Sequence, residues 1–317
     1  MAAMGNRQGG YETAVVRLDP SGRATVFTGI VELGQGIRSS LAQVAGEVLG
    51  LPHDRVRVVL GDTELCPYSC YGTADSRGSV VGGAAVLEAA RLLRAKIVAL
   101  AAHLLEAGPG DVELADGACR VRGAPARALT LAEVAREAHR GQNLPPGMDP
   151  GLDARATYQP ENWTHPYGVH VVAVEVSREL GTVDLLGYWI AHDCGTLLNP
   201  LLVDGQLAGG VAQGIGGALL ERLVYDEAGQ PLCRTFMEYA LPTAAAVPPL
   251  VIEHLETPSP HTPGGMKGMA EGGTIAAPAA IANAVADALA GAGVDRAAID
   301  FYPLTPARVF ALLAAAR

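Results

Sequence analysis

Glu271 stands in Lys267-Gly268-Met269-Ala270-Glu271-Gly272-Gly273-Thr274, where one carboxylate has little side-chain bulk around it. Glycine lets a backbone turn tightly and approach a ligand closely. The small-residue run from Ile275 to Ala292 predicts a helix, whose free N–H groups open at this loop. A carboxylate so placed can lie close to a bound ligand. It can equally serve as a first-turn acid that complements the helix dipole.

Three further glycine-rich segments bear on that choice. Gly34-Gln35-Gly36 precedes a predicted helix, and the Gln35 amide has donor and acceptor faces that suit a heterocycle. It lacks the third glycine and the following acid of a dinucleotide fingerprint, and a lone Gly-x-Gly is often only a turn. Tyr71-Gly72-Thr73-Ala74-Asp75-Ser76-Arg77-Gly78-Ser79 opens a long helix; its hydroxyls and backbone N–H groups suit an anion, and Asp75, Ser76 or Ser79 would also make an N-cap. Asn199-Pro200 leads through Gly205-Gln206 and Gly209-Gly210 to Gln213-Gly214-Ile215-Gly216. Glycine inside a helix costs about 1 kcal/mol relative to alanine, so its repetition calls for close helix packing or a ligand on that face. His192-Asp193-Cys194-Gly195 has no second histidine near it in sequence and reads as a strand end. Asn162-Trp163-Thr164 matches a glycosylation sequon with no secretion signal to support it.

Composition narrows the classes. The chain has 317 residues, 49% apolar and 18% charged, which describes a folded protein rather than a disordered one. A net charge of −10 without a basic stripe argues against nucleic acid as partner. The five cysteines are scattered with no CxxC pair, so neither zinc nor an iron–sulfur cluster is expected within this chain, and they read as reduced thiols of a cytoplasmic protein. No signal peptide and no apolar run of membrane-spanning length is visible.

The elements that would position these segments come in two similar series. The first has strands over Thr13–Leu18 and Ala24–Thr28, a helix over Ser39–Leu49, a strand over Val56–Leu60 and a helix over Val80–Ala107. Short strands near Val112–Leu114 and Cys119–Val121 follow, then a helix to Arg140 opened by the capping box Thr130-Leu131-Ala132-Glu133. Residues 141–162, rich in Gly, Pro and Asp, read as a connector. The second series has strands over Gly168–Ser177 and Thr182–His192, a helix from Pro200 to about Leu219, a strand over Val251–Glu256 and the helix after Glu271. Between them, Leu223–Tyr225 and Cys233–Phe236 flank a turn.

Taken in this order, the segments resemble the C-terminal half of the molybdenum-binding subunit of the xanthine dehydrogenase/aldehyde oxidase family. The resemblance runs from about Tyr11 to Val309. It is carried by Gly34-Gln35-Gly36, the Gly72-to-Gly83 helix entrance, Asn199-Pro200 with Gly205-Gln206 and Gln213-Gly214, the Lys267-to-Thr274 loop, and the helix through Ala276–Val285. Ala270 replaces the glycine that usually precedes the family's glutamate. Family molybdenum subunits run to more than twice this length, and the glycine-rich loop of their first half is absent. The resemblance therefore implies the smaller piece of a split molybdenum subunit, as in nicotinate dehydrogenase, or a remnant that serves as a cofactor-free scaffold.

The resemblance implies an α+β fold of two related α/β subdomains with mixed sheets, here 1–145 and 146–317. It implies a molybdopterin cofactor carrying molybdenum, in bacteria commonly the cytosine dinucleotide, with no protein ligand to the metal. Glu271 would be the general base in hydroxylating an electron-poor carbon of an N-heteroaromatic, purine or aldehyde, with oxygen from water. Gly34, Gln35, Gly36, Thr73, Ala74, Asp75, Ser76, Arg77, Gln206, Lys267 and Gly268 would contact the cofactor. The partners implied are a companion molybdenum subunit, a [2Fe-2S] subunit and an FAD subunit.

Overall fold

The computed structural model describes residues 10–316. In the first half, β1 (Glu12–Leu18) and β2 (Ala24–Thr28) form an antiparallel hairpin, and α1 (Ile37–Leu49) crosses to β3 (Val56–Leu60), parallel to β2. A π-helical turn, Gly78–Gly82, then runs into α2 (Gly83–Leu104). A small sheet of β4 (Val112–Ala115), β5 (Ala118–Val121) and β6 (Ala124–Thr130) follows, with α3 (Leu131–Arg140) opened by the expected capping box.

The second half repeats the first. β8 (Tyr167–Val176) and β9 (Val183–Asp193) form the hairpin, α4 (Pro200–Ile215) crosses over, β10 (Leu250–Leu255) pairs parallel to β9, and α5 (Gly272–Ala290) follows. The C-terminal helix α6 (Pro306–Ala315) has no counterpart in the expected elements.

The connector reading of 141–162 is overturned by β7 (Asp153–Tyr158), which pairs antiparallel with β1 from Asp153↔Arg17 to Tyr158↔Glu12. The first sheet, ordered β3-β2-β1-β7, thus extends past residue 145. β7 alternates Ala154 and Ala156 inward with charged and polar residues outward, a period too weakly apolar to stand out amid glycine and proline. The pair expected around Asp226–Gly229 shrinks to one bridge, Tyr225↔Pro231.

Each half has its own core. α1 and α2 cover one face of the first sheet with Leu41, Leu49, Leu93, Ile97 and Leu100, all fully buried. In the second, Ala277, Ile281, Val285 and Leu289 recur every four residues and bury one stripe of α5 against α4 and the sheet. By length and apolarity alone α5 could cross a membrane, yet this stripe is core.

Glycine sets the α4–α5 distance. A Cβ at Gly210 would lie 2.8 Å from Gly273 Cα, and one at Gly214 would lie 2.4 Å from Ala277 Cβ. Gly205, Gly209 and Gly217 face open space instead. Packing therefore accounts for Gly210 and Gly214 and not for their neighbours. Gly210→Val is expected to lower stability by about 1–3 kcal/mol through overpacking. Gly209→Ala should raise it by up to about 1 kcal/mol. Urea unfolding of the two variants checks both signs.

Candidate molybdopterin site

The loops that follow β2, β3, β9 and β10 emerge at the same ends of their sheets and meet between the halves. A cavity of about 480 Å³ lies there, within the ordinary range for small-molecule sites. Ligands in α/β sheets bind outside the carboxyl ends of the strands, and both halves follow that rule here.

Nine of the residues expected at a cofactor site line this cavity: Gly34 and Gln35 after β2, Thr73, Ala74, Asp75 and Ser76 after β3, Gln206 on α4, and Lys267 and Glu271 after β10. Gly36, Arg77 and Gly268 do not line it. They build its walls.

Gly36 has φ 75° and begins α1. A Cβ there would meet the Leu202 side chain at 2.5 Å, so glycine is needed for α1 to approach α4. Gln35 holds its own loop together: Oε1 accepts from Leu33 N–H at 2.6 Å, and Nε2 donates to Val31 C=O at 3.1 Å. Its amide is spent on the backbone rather than on the cavity. Glu32, which sequence reasoning missed, accepts from the N–H groups of Gly36 and Arg38 at 3.1 and 3.2 Å and so caps α1.

Arg77 corrects a second expectation. Its guanidinium faces away from the cavity, 1% exposed, and pairs with the fully buried Glu12 at 3.0 Å. It also donates to Gly72 C=O at 2.7 Å and Tyr11 C=O at 2.9 Å. Glu12 accepts further from Ser69 Oγ at 2.6 Å and from Gly29 N–H and Thr28 Oγ1, each at 3.2 Å. Thr73 Oγ1 donates to Val31 C=O and accepts from Val31 N–H. The network pins the 69–77 loop to β1 and β2. On that support Asp75 and Ser76 both hold left-handed backbone, φ 47° and 57°, which non-glycine residues seldom adopt. Ser76 Oγ is buried without a hydrogen-bond partner in the chain.

On the opposite wall, Lys267 Nζ donates to Asp193 Oδ1 at 3.0 Å, with both side chains buried, and sits 5.1 Å from the centre of the Tyr167 ring. Burial opposes the Asp193 charge, but hydrogen bonds from Thr257, the Gly195 N–H and Lys267 outweigh it and lower the carboxyl to about 2. Gly268 N–H donates to Thr164 Oγ1 at 3.3 Å, and a Cβ on Gly268 would lie 2.9 Å from Ser76 Cβ. Glu271 is the N-cap of α5, and among the described residues its carboxylate makes no hydrogen bond. Beneath it lie His170, His192 and His254 on the inward face of the second sheet, each with one buried ring nitrogen unpartnered. Burial, reinforced by His254 and His170, lowers His192 to about 4. A Cβ on Gly272 would meet His192 Nε2 at 2.5 Å. Only strand pairing brings these histidines together, and their spacing in sequence carries no such signal.

The donors facing the cavity are hydroxyls, amides and one ammonium. Among the described residues no group of three or more His, Cys, Asp or Glu is placed to hold a metal ion. Such a lining fits an anionic, heterocyclic cofactor that brings its own metal ligands, and the hydroxyl of Ser76, one of the lining residues, is a buried donor without a partner in the chain.

Comparison with known proteins agrees with this geometry. The molybdopterin cofactor-binding domain family matches residues 1–248. The chain belongs to that family, as the C-terminal molybdopterin-binding part of the xanthine dehydrogenase group. It is similar to the nicotine 6-hydroxylase large subunit of Paenarthrobacter nicotinovorans, 39% identical over 94% of this chain and 36% of that one. It is also similar to the carbon monoxide dehydrogenase large chain of Hydrogenophaga pseudoflava, 36% identical over 90% of this chain and 35% of that one. Among solved structures, quinoline 2-oxidoreductase from Pseudomonas putida 86 superposes with a TM-score of 0.89 at 41% identity, over 97% of this chain and 38% of that one. The chain thus spans little more than a third of the length of these relatives.

Arg77→Met leaves Glu12 as a buried unpaired charge and should cost about 3–5 kcal/mol in urea unfolding; replacing both residues by apolar ones should recover most of that loss. Asp193, lowered from an ordinary 3.8 to about 2, contributes stability that is complete above about pH 4 and lost as pH falls toward 2. Asp193→Asn should therefore flatten the stability curve in that window, measured by thermal unfolding across pH.

Proposed function

We propose that this chain is the subunit of a molybdenum hydroxylase that carries the catalytic base. The observation that carries the reading is the cavity itself: Glu271 with a free carboxylate, opposite the strained Asp75–Ser76 turn with its unpartnered hydroxyl. In this reading Ser76 Oγ and the surrounding backbone hold the anionic part of a molybdopterin, Gln206 meets its heterocycle, and Lys267, held in place by its ion pair with Asp193, forms the facing wall. We take the cytosine dinucleotide as the form bound. When bound, the cofactor supplies the two-electron redox centre and an activated water.

The chain's own contribution is positioning and proton transfer. Glu271 would take a proton from the water that the bound cofactor activates. α5 starts at Gly272 and Gly273, where bulk is impossible: a Cβ on Gly273 would lie 2.3 Å from Leu207 C=O. The carboxylate is thereby held at one height above α4. The substrate is an electron-poor carbon in an N-heteroaromatic, purine or aldehyde. The names of the similar nicotine hydroxylase and quinoline oxidoreductase favour an N-heterocycle. We further propose a companion polypeptide that completes the cofactor site, with [2Fe-2S] and FAD subunits to carry electrons away. The two halves act as subdomains, the first reaching through β7. We further propose that the assembly works in the cytoplasm, a reading supported by the scattered cysteines of this chain.

Glu271→Gln in the assembled complex should retain molybdenum and lose turnover by about 10²–10⁴-fold. Substantial turnover by a molybdenum-loaded variant would remove Glu271 as base. A complex purified metal-free from cells supplied with molybdate would overturn the cofactor reading and favour a scaffold.

A further inference from the structure

The two sheets have the same helix layer on one side and opposite chemistry on the other. On the first, the outward rows run Asp153–Arg17–Thr25–Arg57 and Arg155–Val15–Phe27–Val59. Charged and hydroxyl groups dominate, and the Arg17 guanidinium lies over the Phe27 ring at 5.0 Å. That is how a sheet face meets water.

The second sheet breaks this pattern. Toward the cavity end its outward rows run Val171–Trp189–Val251, Val169–Ala191–Glu253 and Tyr167–Asp193–Leu255, and the exposed acidic pair Glu175–Asp184 bounds them at the far end. The large apolar members of these rows are each between 43% and 63% exposed. Within the three rows Glu253 is the one charge that faces out. Leu186, at the irregularity between β8 and β9, extends the patch. Contiguous apolar surface of this kind marks an interaction site.

The last row ties this face to the cavity. Tyr167 OH donates to Asp193 Oδ2 at 3.2 Å, its ring backs Lys267 Nζ, and Lys267 lines the cavity. One body lying on the sheet can therefore reach the open side of the site. The relatives indicate what that body is. This chain matches 36% of the nicotine 6-hydroxylase large subunit, so nearly two thirds of that relative lies outside the part this chain resembles and is the candidate occupant of the face.

We propose that the outward face of β8, β9 and β10 is the docking surface for the polypeptide that carries the remaining length of the molybdenum chain. The inference rests on the reading that such a companion completes the cofactor site. It assigns the companion a place: across the Val171–Trp189–Val251 row, entering the cavity past Tyr167.

Photo-crosslinking in the complex purified from its native host tests this. A benzoylphenylalanine at position 171 should crosslink to peptides matching the part of the nicotine 6-hydroxylase large subunit that this chain does not match. The same group at position 57, on the first sheet, should do so at least tenfold less. Crosslinks to a second copy of this chain or to an iron–sulfur subunit, or no crosslink at all, would overturn the proposal. Val171→Asp should reduce co-purified companion at least tenfold while Arg57→Ser leaves it unchanged; equal retention in both counts against it. Molybdenum assayed in the same samples separates the two readings. A position-171 crosslink without metal keeps the interface and removes the cofactor.

Discussion

A Cβ on Gly268 would lie 3.0 Å from the carbonyl oxygen of Ser76 as well as against its side chain, and the site depends on that approach. It brings the loop after β3 against the loop after β10. With any larger residue at 268, the turn bearing Asp75 and Ser76 would move away from the segment that ends in Glu271. A buried ion pair stands behind each loop, Glu12–Arg77 on one side and Asp193–Lys267 on the other. Buried pairs contribute little net stability compared with apolar packing. Their value here is directional, because each fixes where a loop leaves its sheet.

The repeat explains why the loops meet at all. β2 and β3 in one half correspond to β9 and β10 in the other, and the four connections that line the cavity leave these strands at equivalent points. Two copies of one βαβ unit, set with these ends facing, produce a cleft without any further element. The chemistry of each wall is then a matter of loop sequence: hydroxyls and a strained turn from the first copy, a lysine and a free carboxylate from the second.

Much of this was legible in the sequence because it depends on local signals. Hairpins, the Thr130 capping box and the glycine-flanked helix entrances follow from neighbouring residues, and so do the nine expected residues that line the cavity. What escaped depends on partners distant in sequence. Arg77 sits within a loop of hydroxyls and reads as an anion ligand; only the buried Glu12, 65 positions away, turns it inward. The histidines beneath Glu271 are brought together by the pairing of β8, β9 and β10. β7 hid because its alternation is carried by alanines in a segment otherwise full of turn formers. In sequence the glycines of α4 fit packing or ligand contact alike, and the structure divides them by which way each faces.

β7 has a mechanical consequence. It lies on the sequence path into the second half, yet it is hydrogen-bonded along its length to β1 of the first. From its end the chain runs directly to Thr164, which holds Gly268, and the Tyr158 hydroxyl donates to His261 C=O at 3.0 Å. The link between the halves is therefore a tie rod rather than a tether. Prising the cleft apart would load a strand in shear, with its ladder bonds resisting together, rather than stretch a slack loop.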